Sequence, residues 1–467
     1  MTTVALQRLR YMSADYLTLN LGWLAFNVVR YNSLPLDWAQ SFGQFFGTPH
    51  VLLGQLLVPL LAIAMFAVSG YYNSPFDKSR VDDVLNTFGV SAVTAVTVFF
   101  AVLVNDDIPE RLLNYQLLTI LWLLLAVPVY AVRHMVTARA KRMISDGRLR
   151  FGTLIVGTGP KALELRRRLQ KIPTAMGFDI LGHARTDDAA GDAGDHMTLD
   201  EAADMVRDGI VANVILAPED ESTTATAALI GRFVPLGCGV YMVPDLYNLL
   251  TVRPRVNSVA NEPLINVSAT GLSAGAANLK RLGDIAASAL ALVVLAPLYL
   301  AIAIAVKADS PGPVFYSQER IGYRKRRFRI HKFRTMRPDA EAAGPQLSRD
   351  GDPRITRVGA VLRKYRLDEL PQFWDVLRGK MSLVGPRPER DYYLRQIERR
   401  APYVSLIHQV RPGLTSWGVV KVGYAVDVDQ MIRRLQYDLL YIENVSLGID
   451  LRIMLHTVNT VFTGKGL

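Results

Sequence analysis

The 467-residue chain contains a single cysteine, Cys238, so no intrachain disulfide can form. That usage suits a reducing compartment. Charge is also scarce: 20% of residues are charged against 50% hydrophobic, with a mean hydropathy of +0.18. The scarcity is uneven, because the first third is mostly apolar and the rest is mixed and basic. This division suits a membrane anchor joined to soluble domains. Acidic residues are outnumbered by basic ones, 42 to 53, which leaves a net charge of +11. Nucleic acid, anionic lipid and phosphorylated ligands are the partners such a balance favours. No nucleic-acid recognition module accompanies the charge, so nucleic acid is not expected as a partner. No solenoid-type repeat is present. A cleavable leader is not expected either: Asp15, Asn20 and Asn27 interrupt the first apolar stretch and no small-residue cleavage site follows.

What is present begins with four apolar segments, Tyr11–Val29, Val51–Ser69, Val84–Val104 and Gln116–Val132. Each approaches the ~20 residues needed to cross a hydrocarbon core. The first is the least apolar, and its polar residues are expected to face neighbouring helices. Arg8 and Arg10 precede the first segment, and Lys78 and Arg80 lie between the second and third. Arg133, Arg139, Lys141, Arg142, Arg148 and Arg150 follow the fourth. The other two loops carry Asp37, Asp106, Asp107 and Glu110. The positive-inside rule then places the N-terminus and everything after the fourth segment in the cytoplasm.

The next region reads as a parallel α/β sheet. Phe151–Gly159, FGTLIVGTG, has the form of a buried strand entering a glycine turn, and KALELRRRL that of a helix. Gly157, Gly159 and Ala162 make a G-x-G-x-x-A match. Such a turn either cradles a dinucleotide pyrophosphate or simply allows tight strand–helix packing. No strand-end acid suited to a ribose follows, and a structural or regulatory role is favoured over cofactor binding. Further strands are predicted at Phe178–Ala184, Val211–Ala217 and Val240–Val243, with a loop rich in Asp, Ala and Gly over Ala184–His196.

A fifth apolar segment, Leu282–Val306, has 25 residues. As a straight helix it would extend roughly 37 Å. Lys280 and Arg281 precede it, and Lys307 and a basic run over Arg320–Arg337 follow it. A full crossing would export one basic flank. Pro297 removes a helix hydrogen bond and predicts a sharp kink. A segment that enters, bends and returns to the same face resolves the conflict; an ordinary fifth span or a buried core helix is the alternative.

Cations then accumulate in YRKRRFRIHKFRTMRP, which contains Arg324, Lys325, Arg326, Arg327, Arg329, Lys332, Arg334 and Arg337. The first cluster suits anionic headgroups. Lys332 and Arg334, in a strand-like FRIHKFRTM, suit a phosphate. Asp368 and Glu369 follow among Arg363, Lys364, Arg366, Arg378, Lys380 and Arg387. Leu370–Pro371 comes next, so the acid pair is predicted at a helix junction. One carboxylate can attack phosphorus and the other can hold Mg²⁺ with substrate phosphates. The competing reading is a solvated acid pair with arginine partners.

The segments SPGPVFYSQERIG, FRIHKFRTM, LRKYRLDELPQFWDVLRGKMSLVGPRPE and VRPGLTSWG closely resemble the bacterial sugar transferase family, the polyprenyl-phosphate hexose-1-phosphate transferases or monotopic phosphoglycosyl transferases. The resemblance covers Lys280–Leu467, and the preceding regions look like the family's long form. It implies a membrane protein in three parts: a four-helix transmembrane bundle over residues 1–137, a Rossmann-like α/β domain over 138–278, and a catalytic α/β domain with a re-entrant membrane helix over 279–467. It further implies transfer of a hexose 1-phosphate from a UDP-sugar to undecaprenyl phosphate with release of UMP, as the first membrane step of exopolysaccharide, capsule or O-antigen synthesis in the bacterial inner membrane. Asp368 matches the family nucleophile and Glu369 the carboxylate associated with Mg²⁺. Lys332, Arg334 and Arg387 fall in basic motifs as candidate phosphate or nucleotide contacts, and Pro297 matches the membrane-helix break. Asp438 and Tyr441 match a further segment, with interior packing as the other reading. Two departures stand out: Ala296 where some members have serine before the proline, and SWGVVKVGYA where many have Q-V-[SN]-G-R. The second leaves the sugar open, an N-acetylated or modified sugar included. A non-catalytic scaffold for polysaccharide assembly is the alternative from another class, and a homodimer is compatible with the long form.

Overall fold

The computed structural model describes residues 3–33, 41–76, 78, 80–103, 111–171, 177–186, 196–218, 222–243, 256–259, 262–268, 271–340, 344, 346–348, 351–423 and 425–463. These form two compact units, Met1–Arg148 with Ser273–Leu279, and Leu149–Leu272 with Lys280–Leu467. The sheet region and the C-terminal region thus belong to one unit.

In the first unit, long helices run over Thr3–Ser33, Pro49–Val68, Arg80–Val98 and Arg111–Ser145. They share an apolar core that includes Trp23, Phe26, Phe66, Leu117, Leu121 and Val129. Gly22 permits a close helix approach, since a Cβ there would lie 2.5 Å from the Leu124 carbonyl oxygen. Among the described residues, helices within Pro49–Val68, Val81–Val102 and Leu112–Ser145 are long and apolar enough to cross a membrane. The Thr3–Ser33 helix is long enough but less apolar. Its polar residues turn inward, as anticipated: Asp15 and Asn27 are buried. Arg133 is not a loop cation. It lies inside the fourth helix, fully buried, with its Nε 3.0 Å from Asp15 Oδ1 and its Nη1 2.9 Å from Thr87 Oγ1. The orientation argument therefore rests on the other cations after the fourth segment. The acidic loop residues Asp37, Asp106, Asp107 and Glu110 lie outside the described residues.

The second unit opens with a six-stranded sheet in the order β2-β1-β3-β4-β6-β5. Its strands are β1 Phe151–Val156, β2 Phe178–Ala184, β3 Asn213–Leu216, β4 Gly239–Met242, β5 Val256–Val259 and β6 Glu262–Asn266. β1 to β4 are parallel, as the strand–helix alternation predicts. β5 and β6 add an antiparallel hairpin that the sequence reading did not include. Ala162, Leu165 and Leu169 of the Pro160–Lys171 helix pack on Ile155 and Ile215, while helices Leu199–Arg207 and Thr223–Phe233 cover Leu154, Val214 and Leu216 on the other face. Gly157 has φ +133°, and a Cβ there would sit 2.0 Å from the Ala217 carbonyl oxygen. The glycine turn is thus required by close packing of β1 against the end of β3. Of the predicted Ala184–His196 loop, residues 187–195 lie outside the described residues.

After the sheet come two apolar helices, Ala274–Val294 and Ala296–Asp309, bent by 61° at the break. Pro297 sits in the first turn of the second helix, where its missing N–H is tolerated but continuation from the first is not. An antiparallel hairpin follows, β7 Phe315–Ile321 and β8 Arg327–Phe333. Short helices Arg357–Lys364 and Gln372–Leu377 flank a one-turn 3₁₀ helix at Leu367–Glu369. The remaining core gathers Val384, Tyr393, Leu394, Ile397, Leu435 and Tyr441 around the parallel pair β9 Ser382–Val384 and β10 Gly413–Thr415.

Candidate functional site

Asp368 and Glu369 occupy the 3₁₀ turn between two helices, at the predicted junction. The residue before the turn, Arg366, is held at φ 55°, ψ 21°, in the left-handed region. This reverses the chain and turns both carboxylates inward, where each residue is only 4% exposed. The flanking residues Leu367 and Leu370 pack on Ile302, Val306, Phe333 and Leu362, which anchors the turn on apolar contacts.

The two acids meet different surroundings. Glu369 Oε1 accepts from Lys332 Nζ at 2.6 Å and from Arg387 Nη2 at 2.9 Å. Although burial opposes ionisation of Glu369, the charges of Arg387, Lys332 and Arg366 prevail and hold its carboxyl well below the usual range. Asp368 Oδ1, by contrast, is buried with no hydrogen-bond partner. Burial raises the Asp368 pKa to about 6; the Glu369 charge adds to the rise, while Lys332, Arg363 and Arg387 oppose it. Neighbouring carboxylates driven in opposite directions have separate chemical roles open to them. Lys332 itself is shifted down, chiefly by burial, with Glu369 opposing.

Asp368 lines a cavity of about 380 Å³. Nine cationic side chains border it against two acids, Asp368 and Glu389. Its walls come from β7 and β8, from the segment after β8, and from the helices that carry Tyr393, Met431 and Arg434. Such a chamber suits a ligand with several phosphate charges and a less polar remainder.

Comparison with known proteins gives the chain's relatives. Residues 275–464 match the family model for bacterial sugar transferases. The chain is 40% identical over 262 residues to the UDP-N-acetylgalactosamine-undecaprenyl-phosphate N-acetylgalactosaminephosphotransferase of Aeromonas hydrophila, covering 56% of this chain and 60% of that protein. It is 31% identical over 293 residues to the UDP-glucose:undecaprenyl-phosphate glucose-1-phosphate transferase of Escherichia coli K12, covering 62% and 63%. With the exopolysaccharide production protein PSS of Rhizobium leguminosarum it shares 41% identity over 197 residues, 40% of this chain and 98% of that protein. The chain belongs to the bacterial sugar transferase family. It spans somewhat under two thirds of the length of the first two of these relatives.

Within the chain, the sequence-selected residues divide. Asp368, Glu369, Lys332 and Arg387 converge at one site. Arg334 borders the cavity, but its guanidinium caps the end of the second apolar helix: Nη1 donates to the Pro311 carbonyl and Nη2 to the Ser310 carbonyl, both at 2.7 Å. Asp438 lies behind the site. Its Oδ1 accepts from the Gly418 amide at 2.9 Å and its Oδ2 from the Arg387 amide at 3.4 Å, so it holds the backbone that carries Arg387. Burial raises its pKa to about 6. Tyr441 faces the interior, donating to Asp450 Oδ1 at 2.7 Å. Pro297 lies at the helix break and not at the cavity.

The basic run is more engaged with protein than its sequence suggests. Lys325 pairs with Glu398 at 3.2 Å, and Arg327 with Glu319 at 3.1 Å and Asp391 at 3.6 Å. Arg324 lies against Gly237 of the sheet region. Arg326 and Arg329 are exposed.

Four contributors, Arg363, Glu389, Arg434 and Arg354, were not selected from sequence as site residues. Arg363 borders the cavity with its Nε 3.1 Å from Thr335 Oγ1. Glu389 bonds Arg434 and sits 3.7 Å from Arg320. Arg354 is fixed by both oxygens of Asp352, whose pKa falls to about 2, mainly through the Arg354 hydrogen bond. The signal for Arg363 and Glu389 was their place in the same motif as the acids; Arg434, on an ordinary amphipathic helix, gave none.

Proposed function

We propose that this chain transfers a sugar 1-phosphate from a UDP-sugar to undecaprenyl phosphate and releases UMP. The observation that carries the reading is the asymmetry of the acid pair: Glu369 is neutralised by Lys332 and Arg387, while Asp368 keeps a buried oxygen without a hydrogen donor inside a cationic cavity. The relatives' names supply the substrate classes.

In the first step the Asp368 carboxylate attacks the β-phosphorus of the UDP-sugar. A bond from an Asp368 oxygen to phosphorus forms, giving an acyl phosphate (a mixed anhydride), the bond from that phosphorus to the bridging oxygen breaks, and UMP departs with the electron pair. In the second, a phosphate oxygen of undecaprenyl phosphate attacks the same phosphorus. The acyl phosphate bond breaks, the Asp368 carboxylate is restored, and the sugar leaves on a lipid diphosphate. Lys332 and Arg387 offset the charge that accumulates on the phosphoryl oxygens. Arg363 and Arg320 line the same chamber and suit the second phosphate.

The acid pair fits Mg²⁺, which takes oxygen ligands and commonly one or two carboxylates together with substrate phosphates. Glu369 is the carboxylate that would hold it, which leaves the unpartnered oxygen of Asp368 for attack on phosphorus. Among the described residues no group of three or more His, Cys, Asp or Glu side chains is placed to cage an ion, so substrate phosphates would complete the set. Bound there, the ion would supply neutralisation of diphosphate charge.

The reading also places the protein in the bacterial inner membrane. Four helices of the first unit would span it, with the soluble parts in the cytoplasm, and the 61° bend supports a hairpin whose basic flanks stay on one face. Labelling of single cysteines near Lys280 and Asp309 tests this: both should react only from the cytoplasmic side, and periplasmic reaction of either would favour a true crossing. Relatives are named for glucose and for N-acetylgalactosamine, so the reading commits to a UDP-sugar and not to one sugar. A scaffold role has less support, because the acid pair and its cations are intact. Purified full-length protein with Mg²⁺ and a UDP-sugar panel should release UMP, and no release from any of them would sink the enzymatic reading.

A further inference from the structure

The acid turn is mounted on the helix beyond the membrane-segment break. Leu367 and Leu370, which bracket Asp368 and Glu369, pack against Ile302 and Val306 of the Ala296–Asp309 helix. Asp309 Oδ2, at that helix's end, accepts from the Val358 amide at 2.9 Å, tying in the helix that leads to the turn.

One contact reaches the turn itself. The Tyr299 hydroxyl donates to the Leu370 carbonyl oxygen at 2.6 Å. Tyr299 lies two residues beyond Pro297, and its ring packs on Phe333 at the end of the strand that carries Lys332, with centroids 5.6 Å apart. Leu370 directly follows Glu369 and precedes Pro371. Its carbonyl also accepts the Phe373 amide at 3.1 Å, within the turn into the next helix. A carbonyl has two lone pairs, so both donors can be served at once. Proline contributes no amide hydrogen at Pro371, which leaves the Leu370–Pro371 unit with fewer hydrogen bonds to fix its plane. The phenol supplies one from outside the turn.

Building on the transferase reading, we propose that Tyr299 is a positioning residue for the acid pair. Its hydroxyl fixes the Leu370 carbonyl and so sets the orientation of the turn that presents Asp368 to the donor phosphate. Its ring holds the same turn in register with the strand bearing Lys332. The bent apolar segment then does more than anchor the protein: it sets where the nucleophile stands.

The test uses full-length protein in detergent, comparing wild type with Tyr299→Phe, which keeps the ring against Phe333 and removes only the hydroxyl. Amide hydrogen exchange should quicken at Phe373 and Trp374 and stay unchanged elsewhere, with Tm lowered by no more than the loss of one hydrogen bond carries. UMP release at saturating UDP-sugar should slow by between about twofold and tenfold, the range one neutral hydrogen bond carries, with KM unchanged. An unchanged kcat overturns the proposal whatever exchange shows. So does faster exchange throughout the protein with Tm lowered beyond that, the mark of a merely structural residue. If wild type releases no UMP from any UDP-sugar, the functional reading itself fails. Exchange then judges the contact alone: local quickening supports it, and wild-type exchange at Phe373 and Trp374 overturns it.

Discussion

Two buried acid–base constellations in this chain invite comparison. In the helical unit, Asp15 receives Arg133 through Nε and Nη2 and Tyr72 through its hydroxyl at 2.6 Å. Arg133 Nη1 in turn donates to Thr87 Oγ1, and its guanidinium stacks at 3.6 Å over Tyr71. Every polar group of that pair has a partner, so it specifies how helices meet and has nothing left for a ligand. At the acid turn, Lys332 and Arg387 both converge on Glu369 Oε1, and Asp368 Oδ1 goes without. The chain can satisfy a buried acid–base pair completely, and at the acid turn it leaves a carboxylate oxygen without a donor. An unmet buried oxygen costs stability, and it persists where chemistry gives it another use.

The contrast breaks most plainly at Asp368. Asp368→Asn should lower turnover by at least ~10³-fold, the scale of losing a nucleophile. Mass spectrometry should show a phosphosugar adduct in wild type and none in the variant, while Tm holds or rises. An adduct persisting in Asp368→Asn would refute the assignment. The reverse pattern should follow Asp15→Leu, which leaves Arg133 buried and alone. A loss of about 3–5 kcal/mol is expected from thermal unfolding in detergent, and Asp15→Leu with Arg133→Met should recover most of it. If the double variant is as unstable as the single one, the pair does not act as a unit.

Lys332→Met tests the cationic side of the acid turn. Turnover should fall by about 10²-fold, as for loss of one preorganised charge. The pH dependence sharpens the role of Asp368. Its pKa is raised to about 6, so as pH falls through 6 the carboxylate gains a proton and, on the proposed reading, loses its capacity for attack. Adduct formation in a single turnover should therefore be flat above that value and drop about tenfold per pH unit below it. Asp438 is also raised to about 6 but sits behind the site, so Asp438→Asn should retain the inflection. The smallest effect is expected at Tyr441→Phe: about 1 kcal/mol of stability from the lost Asp450 hydrogen bond, with kcat unchanged.

Much of this arrangement was legible in the chain because local chemistry dictates it. The strand and turn at Phe151–Gly159, the break at Pro297 and the junction at Asp368 each follow from hydrophobic runs, glycine or proline. Contacts between distant residues were not legible. Arg133 looked like a loop cation until its distance of 118 positions from Asp15 was closed by folding. Arg334 shares a strand face with Lys332 by spacing, yet it turns to carbonyls at a helix end. The β5–β6 hairpin has short strands whose alternation is too brief to stand out.

Arg366 carries a practical consequence. At φ 55° glycine would sit without strain, whereas a residue with a Cβ is disfavoured by roughly 1–2 kcal/mol. The chain keeps an arginine there, whose charge helps hold the Glu369 carboxyl ionised. Anyone engineering a hardier version of this protein by conventional rules would replace Arg366 with glycine early. The variant should melt later and, on the proposed reading, turn over more slowly, because it relieves backbone strain and removes a charge that holds Glu369 ionised.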